Sequence, residues 1–580
     1  MKLTGPPIDL GSSIIANGPN VGLGAEEEEM MMSSRKTNGI VFYFILLFWT
    51  SLGISCTTTK TSEPGFTILG INDVYRIEGV DKGANGGLAR VRSLRIELEK
   101  DNQKVLLLHG GDFLFPSLLS RQYNGEQMID VLNLMDGRTQ GFDDRMFVTF
   151  GTHEFDKGKE NEAVILNSRI QESQFPWVGS NIVFKAGKYN RPLISAEHLV
   201  DRAFMRTGGV QVGLFSLTTD INTPDYVARF DNPVDVAQKI TRRLRKNGAE
   251  FVIALTHQPI DQDTALLNAL GDDGPDLVIG GYDHYKKSQQ VNGRWILKAD
   301  ADARTAAVVR VYREGPDRFD VQWEFKNLSQ NTVTPDPFVQ ERVDIWIRQH
   351  SREYCQRVLN SGPRCLKAIL GKADIDLIAD ELEMRRYETN FGNWMVDQAL
   401  KVFEDQGAQV AFINAGALRL NQDIPDESLI TRRDIEHMFA YPNKLKLLRI
   451  KGSTLQQIIS HAVEDWTGRG FWLQISGFAF RHNPEIQKAD SLTLLTPDGP
   501  RPIQADEELL AVTNSYLAEG GDGYHWLSSE EVMNVDESPD LKEVVIKNLL
   551  AELEEGIAPE VEGRICNTTR QGPCKAILPD

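Results

Sequence analysis

Cysteine is scarce in this chain, and its scarcity narrows the chemistry. Only five cysteines occur in 580 residues. No two of them stand at a Cys-x-x-Cys spacing, which argues against a structural zinc site. Cys355 and Cys365 are close in sequence, as are Cys566 and Cys574, so two local disulfides are the simplest pairing. Four cysteines nevertheless allow three pairings, and spacing alone does not choose among them. Basic charge is short as well: 63 Lys and Arg face 82 Asp and Glu, a formal net charge of −19. No basic stripe offsets that field, which argues against nucleic acid as a general partner. Internal repeats and low-complexity runs are absent. Ile40–Trp49, extended to Ile54, is apolar but falls short of the roughly 20 residues of a membrane-crossing helix. What is present is the composition of an ordinary globular protein, 41% hydrophobic and 25% charged, with length for two domains with separate cores.

The N-terminus reads as a targeting segment with an odd prefix. Residues 1–29 end in Glu26–Glu29, a poor start for an export signal. After Met30–Met32, Ser33-Ser34-Arg35-Lys36 supplies a basic stretch and Ile40–Ile54 an apolar one of signal-peptide length. Gly53-Ile54-Ser55-Cys56 is similar to a bacterial lipoprotein cleavage site, with Gly53 where Leu is usual. The expectation is that 1–29 are a non-native or untranslated extension, 30–56 a signal peptide with a lipidated Cys56, and 57–65 a polar tether. An uncleaved N-terminal anchor is the alternative. Either way the body is expected to be exported to the bacterial cell envelope, periplasm or surface, and held at a membrane.

Residues 66–330 alternate apolar, strand-like runs with helical stretches such as Leu88–Lys100, Gln127–Met135 and Val234–Lys246. A charged amphipathic helix from Phe338 to Tyr354 reads as the connector within 331–366. A second domain follows over 367–549, and 550–580 reads as a tail clipped by a disulfide. Five polar motifs stand in order, most of them just after an apolar run. They are Ile71-Asn72-Asp73-Val74-Tyr75, Gly110-Gly111-Asp112, Gly151-Thr152-His153-Glu154-Phe155-Asp156, Thr256-His257 and Gly280-Gly281-Tyr282-Asp283-His284. Short apolar runs bounded by Gly, Asp or His read as buried strands, and several strand-end loops can converge on one point.

The order and residue types of these motifs resemble the calcineurin-like metallophosphoesterases, and within them the 5'-nucleotidase family. That family reads D-x-H, G-D, G-N-H-E-x-D, T-H and G-H-x-H. Tyr75, Thr152 and Tyr282 therefore stand where the family has His, Asn and His. The resemblance implies a β-sandwich flanked by helices (αββα, within an α+β class), followed by a smaller mixed α/β substrate-binding domain. It implies one or two divalent metal ions (Mn, Mg, Zn or Co), paired ions in such enzymes lying about 3.5–4 Å apart. The first would be held by Asp73, Asp112 and His284 with Tyr75 as a fourth oxygen. The second would be held by Asp112 and His257, with Thr152 and Tyr282 as weak replacements that favour harder ions such as Mg²⁺ or Mn²⁺. His153, oriented by Asp156, would act on the phosphoryl oxygens.

The second half resembles the 5'-nucleotidase substrate domain in Glu388-Thr389-Asn390-Phe391-Gly392-Asn393, expected to open a helix over Trp394–Phe403, and in Asn414-Ala415-Gly416-Ala417-Leu418-Arg419. Phe471–Gly477 and Asn514–Tyr524 continue the likeness. It implies that Tyr441 and Tyr516 clamp a base, Asp522 holds the ribose, and Asn414, Arg419 and Arg385 serve the remainder of a nucleotide. Tyr387 stands where the family has an Arg, with Arg385 and Arg386 just before it. The activity implied is hydrolysis of the 5'-phosphate of nucleotides. The three substitutions leave two alternatives: a catalytically impaired protein that binds nucleotides or nucleosides, or a phosphoesterase for another small molecule.

Overall fold

A strand buried on both faces carries apolar residues at every position instead of alternating with polar ones. Phe66–Ile71 and Val105–His109 come near that pattern, with Thr67 and His109 as the polar exceptions, and both are buried throughout. Phe66, Ile68, Leu106 and Leu108 enter one core, while Leu69, Ile71, Val105 and Leu107 enter another. This is the two-residue period of a strand with protein on each side.

The computed structural model describes residues 65–576, apart from 101–104, 188–191, 221–222, 317, 467 and 534–537. The expected extension, signal peptide, Cys56 and nearly all of the tether lie outside the described residues. Among the described residues, no helix is long and apolar enough to cross a membrane.

The strands of the first domain that position its loops are β1 (Phe66–Ile71), β2 (Val105–His109), β3 (Met146–Thr149), β4 (Trp177–Val178), β5 (Leu199–Val200), β6 (Ala203–Thr207) and β7 (Val210–Thr218). They are followed by β8 (Phe251–His257), β9 (Leu277–Gly281), β10 (Lys287–Val291), β11 (Arg294–Lys298), β12 (Thr305–Arg313) and β13 (Phe319–Asn327). One sheet has the order β13-β12-β1-β2-β3-β4-β5, the other β10-β11-β9-β8-β7-β6. They face each other across Ile68, Leu108, Leu214, Ile253 and Ile279. Helices α1 (Leu88–Lys100) and α2 (Pro233–Lys246) cover the two outer faces. The result is the expected αββα sandwich.

Parallel pairing of β1, β2 and β3 in one sheet, and of β7, β8, β9 and β11 in the other, brings their C-terminal ends to one edge. At that edge the sheets touch backbone to backbone. A Cβ on Gly281 would lie 2.5 Å from the Gly110 carbonyl oxygen, so neither loop tolerates a side chain there.

The connector is a long helix, α3 (Pro337–Arg357), started by Pro337 and by Asp336, whose side chain accepts from the Val339 N–H. Its early turns pack into the first domain through Val339, Val343 and Trp346. Its end reaches the second domain, where the Tyr354 hydroxyl donates to Glu436 at 2.7 Å. The disulfides are Cys355–Cys365 and Cys566–Cys574, the simplest pairing. The second domain contains α4 (Glu381–Met384) and α5 (Asn390–Lys401). Its main sheet comprises β14 (Val410–Asn414), β15 (Leu445–Lys451), β16 (Leu473–Ser476), β17 (Glu508–Asn514) and β18 (Glu531–Val532), in the order β16-β14-β17-β15-β18. Helix α5 begins four residues before Trp394, because the Thr389 hydroxyl caps it by accepting from the Gly392 N–H. The segment after 550 is built into this domain: Ile565–Asn567 pairs in parallel with Phe478–Asn483, and Glu388 accepts from the N–H groups of Glu562, Gly563 and Ile565.

Beneath the loop edge lies a wholly buried lysine. Lys298, at the end of β11, donates to the carbonyls of Gln258 and Gly281 and to Asp283 at 2.8 Å, with Asp263 at 2.9 Å. It ties the β8 and β9 loops together. Burial works against its charge, but Asp263 and Asp283 outweigh that and raise its pKa. Lys298→Met leaves the buried Asp263 without its cation and Asp283 with Lys287 alone, and is expected to cost about 3–5 kcal/mol, read from urea denaturation.

Candidate active site

Asp73 leaves the end of β1 in the left-handed region, φ 52°. Its Oδ2 accepts from the Asn72 side chain at 2.7 Å and from the Tyr282 N–H at 2.9 Å. Its Oδ1 is buried with no hydrogen-bond partner and lies 3.5 Å from His284 Nε2. Asn72 is itself locked to the backbone of Ala299 in both directions. Asp112 follows β2, also left-handed at φ 56°. Its Oδ1 accepts from the His153 N–H at 2.7 Å, and its Oδ2 faces Tyr75, Thr152 and His257 at 3.3, 3.4 and 3.2 Å. Gly151 is required beside it, since a Cβ there would sit 2.1 Å from Asp112 Oδ1. Tyr282 and His284 are left-handed as well, at φ 86° and 60°. Backbone strain of this kind persists where surrounding contacts over-determine it.

The donor set fits a divalent ion at the first position. Asp73, Asp112 and His284 offer ligand atoms that all lie within 4.8 Å of one another. Asp73 Oδ1 is buried without a hydrogen bond, and His257 Nε2 faces Asp112 Oδ2 at 3.2 Å. The Tyr75 hydroxyl sits among these groups, 2.8 Å from His284 Nε2 and 3.3 Å from Asp112 Oδ2. Burial, with Asp112 and Asp73 beside it, pushes the Tyr75 pKa far above the ordinary phenol value, so it is a neutral oxygen. Burial raises the pKa of Asp73. Burial also opposes a charge on Asp112, but His257 and His153 outweigh it and hold that carboxyl low. For His257, burial opposes protonation while Asp112 and Asp73 reverse the balance and lift the pKa to about 9. The pocket thus demands positive charge.

The second position is thinner. Asp112 and His257 are adjacent there, with His257 Nδ1 turned to the Gly110 carbonyl at 2.7 Å. The Tyr282 and His257 rings meet at a steep 75°, 5.6 Å between centroids, with the Arg469 guanidinium 5.9 Å from the Tyr282 ring. Thr152 contributes a hydroxyl 3.4 Å from Asp112.

Over these groups the two domains enclose a cleft of about 770 Å³. His153 Nδ1 lies 2.9 Å from Asp156, and the Tyr441 hydroxyl donates to the other oxygen of Asp156 at 2.8 Å. Arg419 approaches His153 Nε2 to 3.5 Å and is fixed by donating to the Gly416 carbonyl. Burial opposes protonation of His153, but Asp156 and Asp112 outweigh it and raise its pKa. Asp522, left-handed at φ 52°, accepts from Asn414 at 2.7 Å and from the half-exposed Tyr516 hydroxyl at 2.9 Å. Arg385, Asn414, Arg419, Tyr441, Tyr516 and Asp522 all line the cleft, while Asp73, Tyr75 and His257 lie beneath it. Of the arginines before Tyr387, Arg385 faces the cleft, whereas Arg386 stacks over Trp466 at 4.2 Å. Tyr387 packs against Trp466 and under Arg570.

Four contributors have no role in the motif reading. Glu154 accepts from the N–H groups of Asp112, Phe113, Leu114 and Gly151 at 2.5–3.0 Å and so shapes the Asp112 loop. Its place inside the third motif was the available signal. Asp302 accepts from the N–H groups of Tyr75 and Arg76. Glu381, from the second domain, accepts from His284 Nδ1 at 2.8 Å. Arg469 joins the cleft wall. These last three carry no local sequence signal.

Residues 66–286 match the calcineurin-like phosphoesterase model and residues 370–529 the 5'-nucleotidase C-terminal domain model. The rat (Rattus norvegicus) 5'-nucleotidase is 24% identical over 559 residues, covering 88% of this chain and 91% of that protein. The trifunctional nucleotide phosphoesterase protein YfkN of Bacillus subtilis (strain 168) is 24% identical over 515 residues, covering 81% of this chain but 33% of that protein. The crystal structure of a 5'-nucleotidase precursor from Thermus thermophilus shares the fold with a TM-score of 0.71 at 22% identity, covering 87% of this chain and 100% of that one. With a phosphoesterase sandwich followed by a nucleotidase C-terminal domain, and a cleft between them, the chain belongs to the 5'-nucleotidase family of calcineurin-like metallophosphoesterases, which are hydrolases.

Proposed function

We propose that the protein is an exported, membrane-tethered, metal-dependent phosphoesterase that removes the 5'-phosphate of nucleotides. The observation that carries this reading is the meeting of two residue sets from different domains. Tyr441, proposed to stack on a base, hydrogen-bonds Asp156, and Arg419, proposed to hold a phosphate, lies beside His153. A nucleotide stacked between Tyr441 and Tyr516, with its ribose on Asp522, extends its phosphate toward His153 and the buried ligand cluster. The relatives named for nucleotide chemistry support the substrate class. The basic and apolar stretches before Cys56 support export and tethering.

Asp73, Asp112 and His284 would hold a divalent ion, with Tyr75 as a neutral fourth oxygen and Asp112 shared toward His257. Neutral and carboxylate oxygens favour Mn²⁺ or Mg²⁺ there. Such an ion supplies stabilisation of phosphoryl charge and activation of water. The chain's own groups do the rest. Arg419 and Arg385 meet phosphate oxygens with fixed guanidinium forks. His153, held by Asp156, directs Nε2 to the phosphoryl group and stabilises charge as the ester bond breaks. Asn414 holds Asp522 in place for the ribose hydroxyls.

A second reading has one observation in its favour. The Tyr75 hydroxyl already satisfies His284 Nε2 in the place where a ligand belongs, as a protein that binds nucleotides without cleaving them would permit.

Metal-stripped protein is expected to release no phosphate from AMP and to release it once Mn²⁺, Mg²⁺, Zn²⁺ or Co²⁺ is restored. His153→Ala is expected to lower kcat by about 100-fold or more while AMP still binds. Protein that binds AMP but releases no phosphate with any of the four ions establishes the second reading instead. Tyr516→Ala removes one face of the clamp and is expected to raise KM for AMP by about 5- to 150-fold, from roughly 1–3 kcal/mol of stacking, with kcat little changed. Tyr75→His replaces a neutral phenol by an imidazole, and the Mn²⁺ concentration for half-maximal rate is expected to fall; a rise shows that Tyr75 is itself the better ligand.

A further inference from the structure

His284 belongs to the first domain, but the group that orients it belongs to the second. Its Nδ1 lies 2.8 Å from Glu381 Oε1, across 97 residues of sequence. The same oxygen receives the Arg385 guanidinium at 2.5 Å. A guanidinium only donates, so Oε1 is an acceptor, and the His284 Nδ1 facing it carries the proton. In the neutral ring Nε2 is then the lone-pair nitrogen, accepting from the Tyr75 hydroxyl at 2.8 Å, with Asp73 Oδ1 3.5 Å away. That tautomer is the one a metal ligand needs, and a carboxylate behind a ligating imidazole is how such sites commonly secure it.

Glu381 is held in this position by contacts on both sides of the domain boundary. Asp380, next to it, caps α4 by accepting from the Leu382 N–H and pairs with Arg304 of the first domain at 3.0 Å. Arg76, immediately after Tyr75, donates to the carbonyls of Arg419 and Leu420. The other Glu381 oxygen is buried without a hydrogen-bond partner, so the carboxylate is committed to His284 and Arg385.

We propose that Glu381 is a positioning residue for the metal centre, so that the ligand set of the first domain is complete only when the second domain is docked, and that Arg385 links this to phosphate binding by sharing the same Glu381 oxygen. The inference rests on the metal-centre reading above. It makes substrate delivery and ion retention one event: the domain that brings the nucleotide also fixes an imidazole beside the ion.

The test is Mn²⁺ affinity by isothermal titration calorimetry on metal-stripped full-length protein, together with long-range ¹H–¹⁵N NMR of the histidine rings without metal. Glu381→Ala is expected to weaken Mn²⁺ binding about 100-fold and the isosteric Glu381→Gln, which keeps an acceptor oxygen but loses the charge, about 10-fold. Asp380→Asn keeps the helix cap and the Glu381 carboxylate, weakens only one of the contacts that hold it, and is expected to lower the affinity by less than Glu381→Gln does. The wild-type His284 is expected in the Nδ1–H tautomer, and the Glu381 variants in a mixture. Unchanged affinity in folded Glu381→Ala or Glu381→Gln, equal loss in Asp380→Asn, or an Nε2–H tautomer in the wild type overturns the inference and leaves the metal-centre reading standing. A wild type that takes up no Mn²⁺ overturns that reading and the inference together.

Discussion

Two carboxylates, Asp73 and Asp112, are removed from water within ligand distance of each other, and the surrounding structure answers that charge. Burying one unpaired carboxylate costs several kcal/mol, and a neighbouring one adds repulsion. The chain compensates with directed donors: the side chain of Asn72, the N–H groups of Tyr282 and His153, and the imidazoles of His257 and His284. It stops short of full compensation, because Asp73 Oδ1 receives no hydrogen bond and His284 Nε2 stands 3.5 Å from it. A fold that satisfied every atom would have no use for a cation. This one leaves a buried carboxylate oxygen short of a donor, as the proposed ion site requires, and the three substituted motif positions change the ligand types while the local charge stays negative.

The same charge explains the closeness of the domains. Arg419 and Arg385 come from the second domain, and Arg419 lies against His153 while Glu381 reaches back to His284. Cations and anions thus cross the boundary in both directions. Arg76 and Arg304 reinforce it from the first domain. The proposed active site, shared between domains, needs such reciprocal contacts, since neither half alone carries both the cleft arginines and the Asp73, Asp112 and His284 cluster.

Much of this was legible in the sequence because it depends on local order. Strand-end motifs announce themselves by an apolar run followed by Gly, Asp or His, and parallel pairing then brings them together without further information. The αββα sandwich, the connector helix and the cleft-lining Tyr441, Tyr516 and Asp522 follow from such local patterns and from family resemblance. What escaped depends on distant contact. Glu381 is an ordinary acidic residue opening a four-residue helix until folding sets it against His284. Lys298 reads as the polar end of a strand, and only the sheet order places it between Asp263 and Asp283. The offset at Tyr387 was ambiguous because one residue of slip decides which arginine enters the cleft; the packing of Arg386 and Tyr387 on Trp466 leaves Arg385 to do so.

The central claim is that Asp73, Asp112 and His284 form a divalent-ion site around the neutral Tyr75 hydroxyl. Diffraction data collected at the manganese absorption edge, from crystals grown with Mn²⁺, test it most directly. The account predicts an anomalous peak between those three side chains, with the Tyr75 hydroxyl drawn off His284 Nε2 or joined to the ion. A cleft without a peak there, with Tyr75 still hydrogen-bonded to His284, would contradict it.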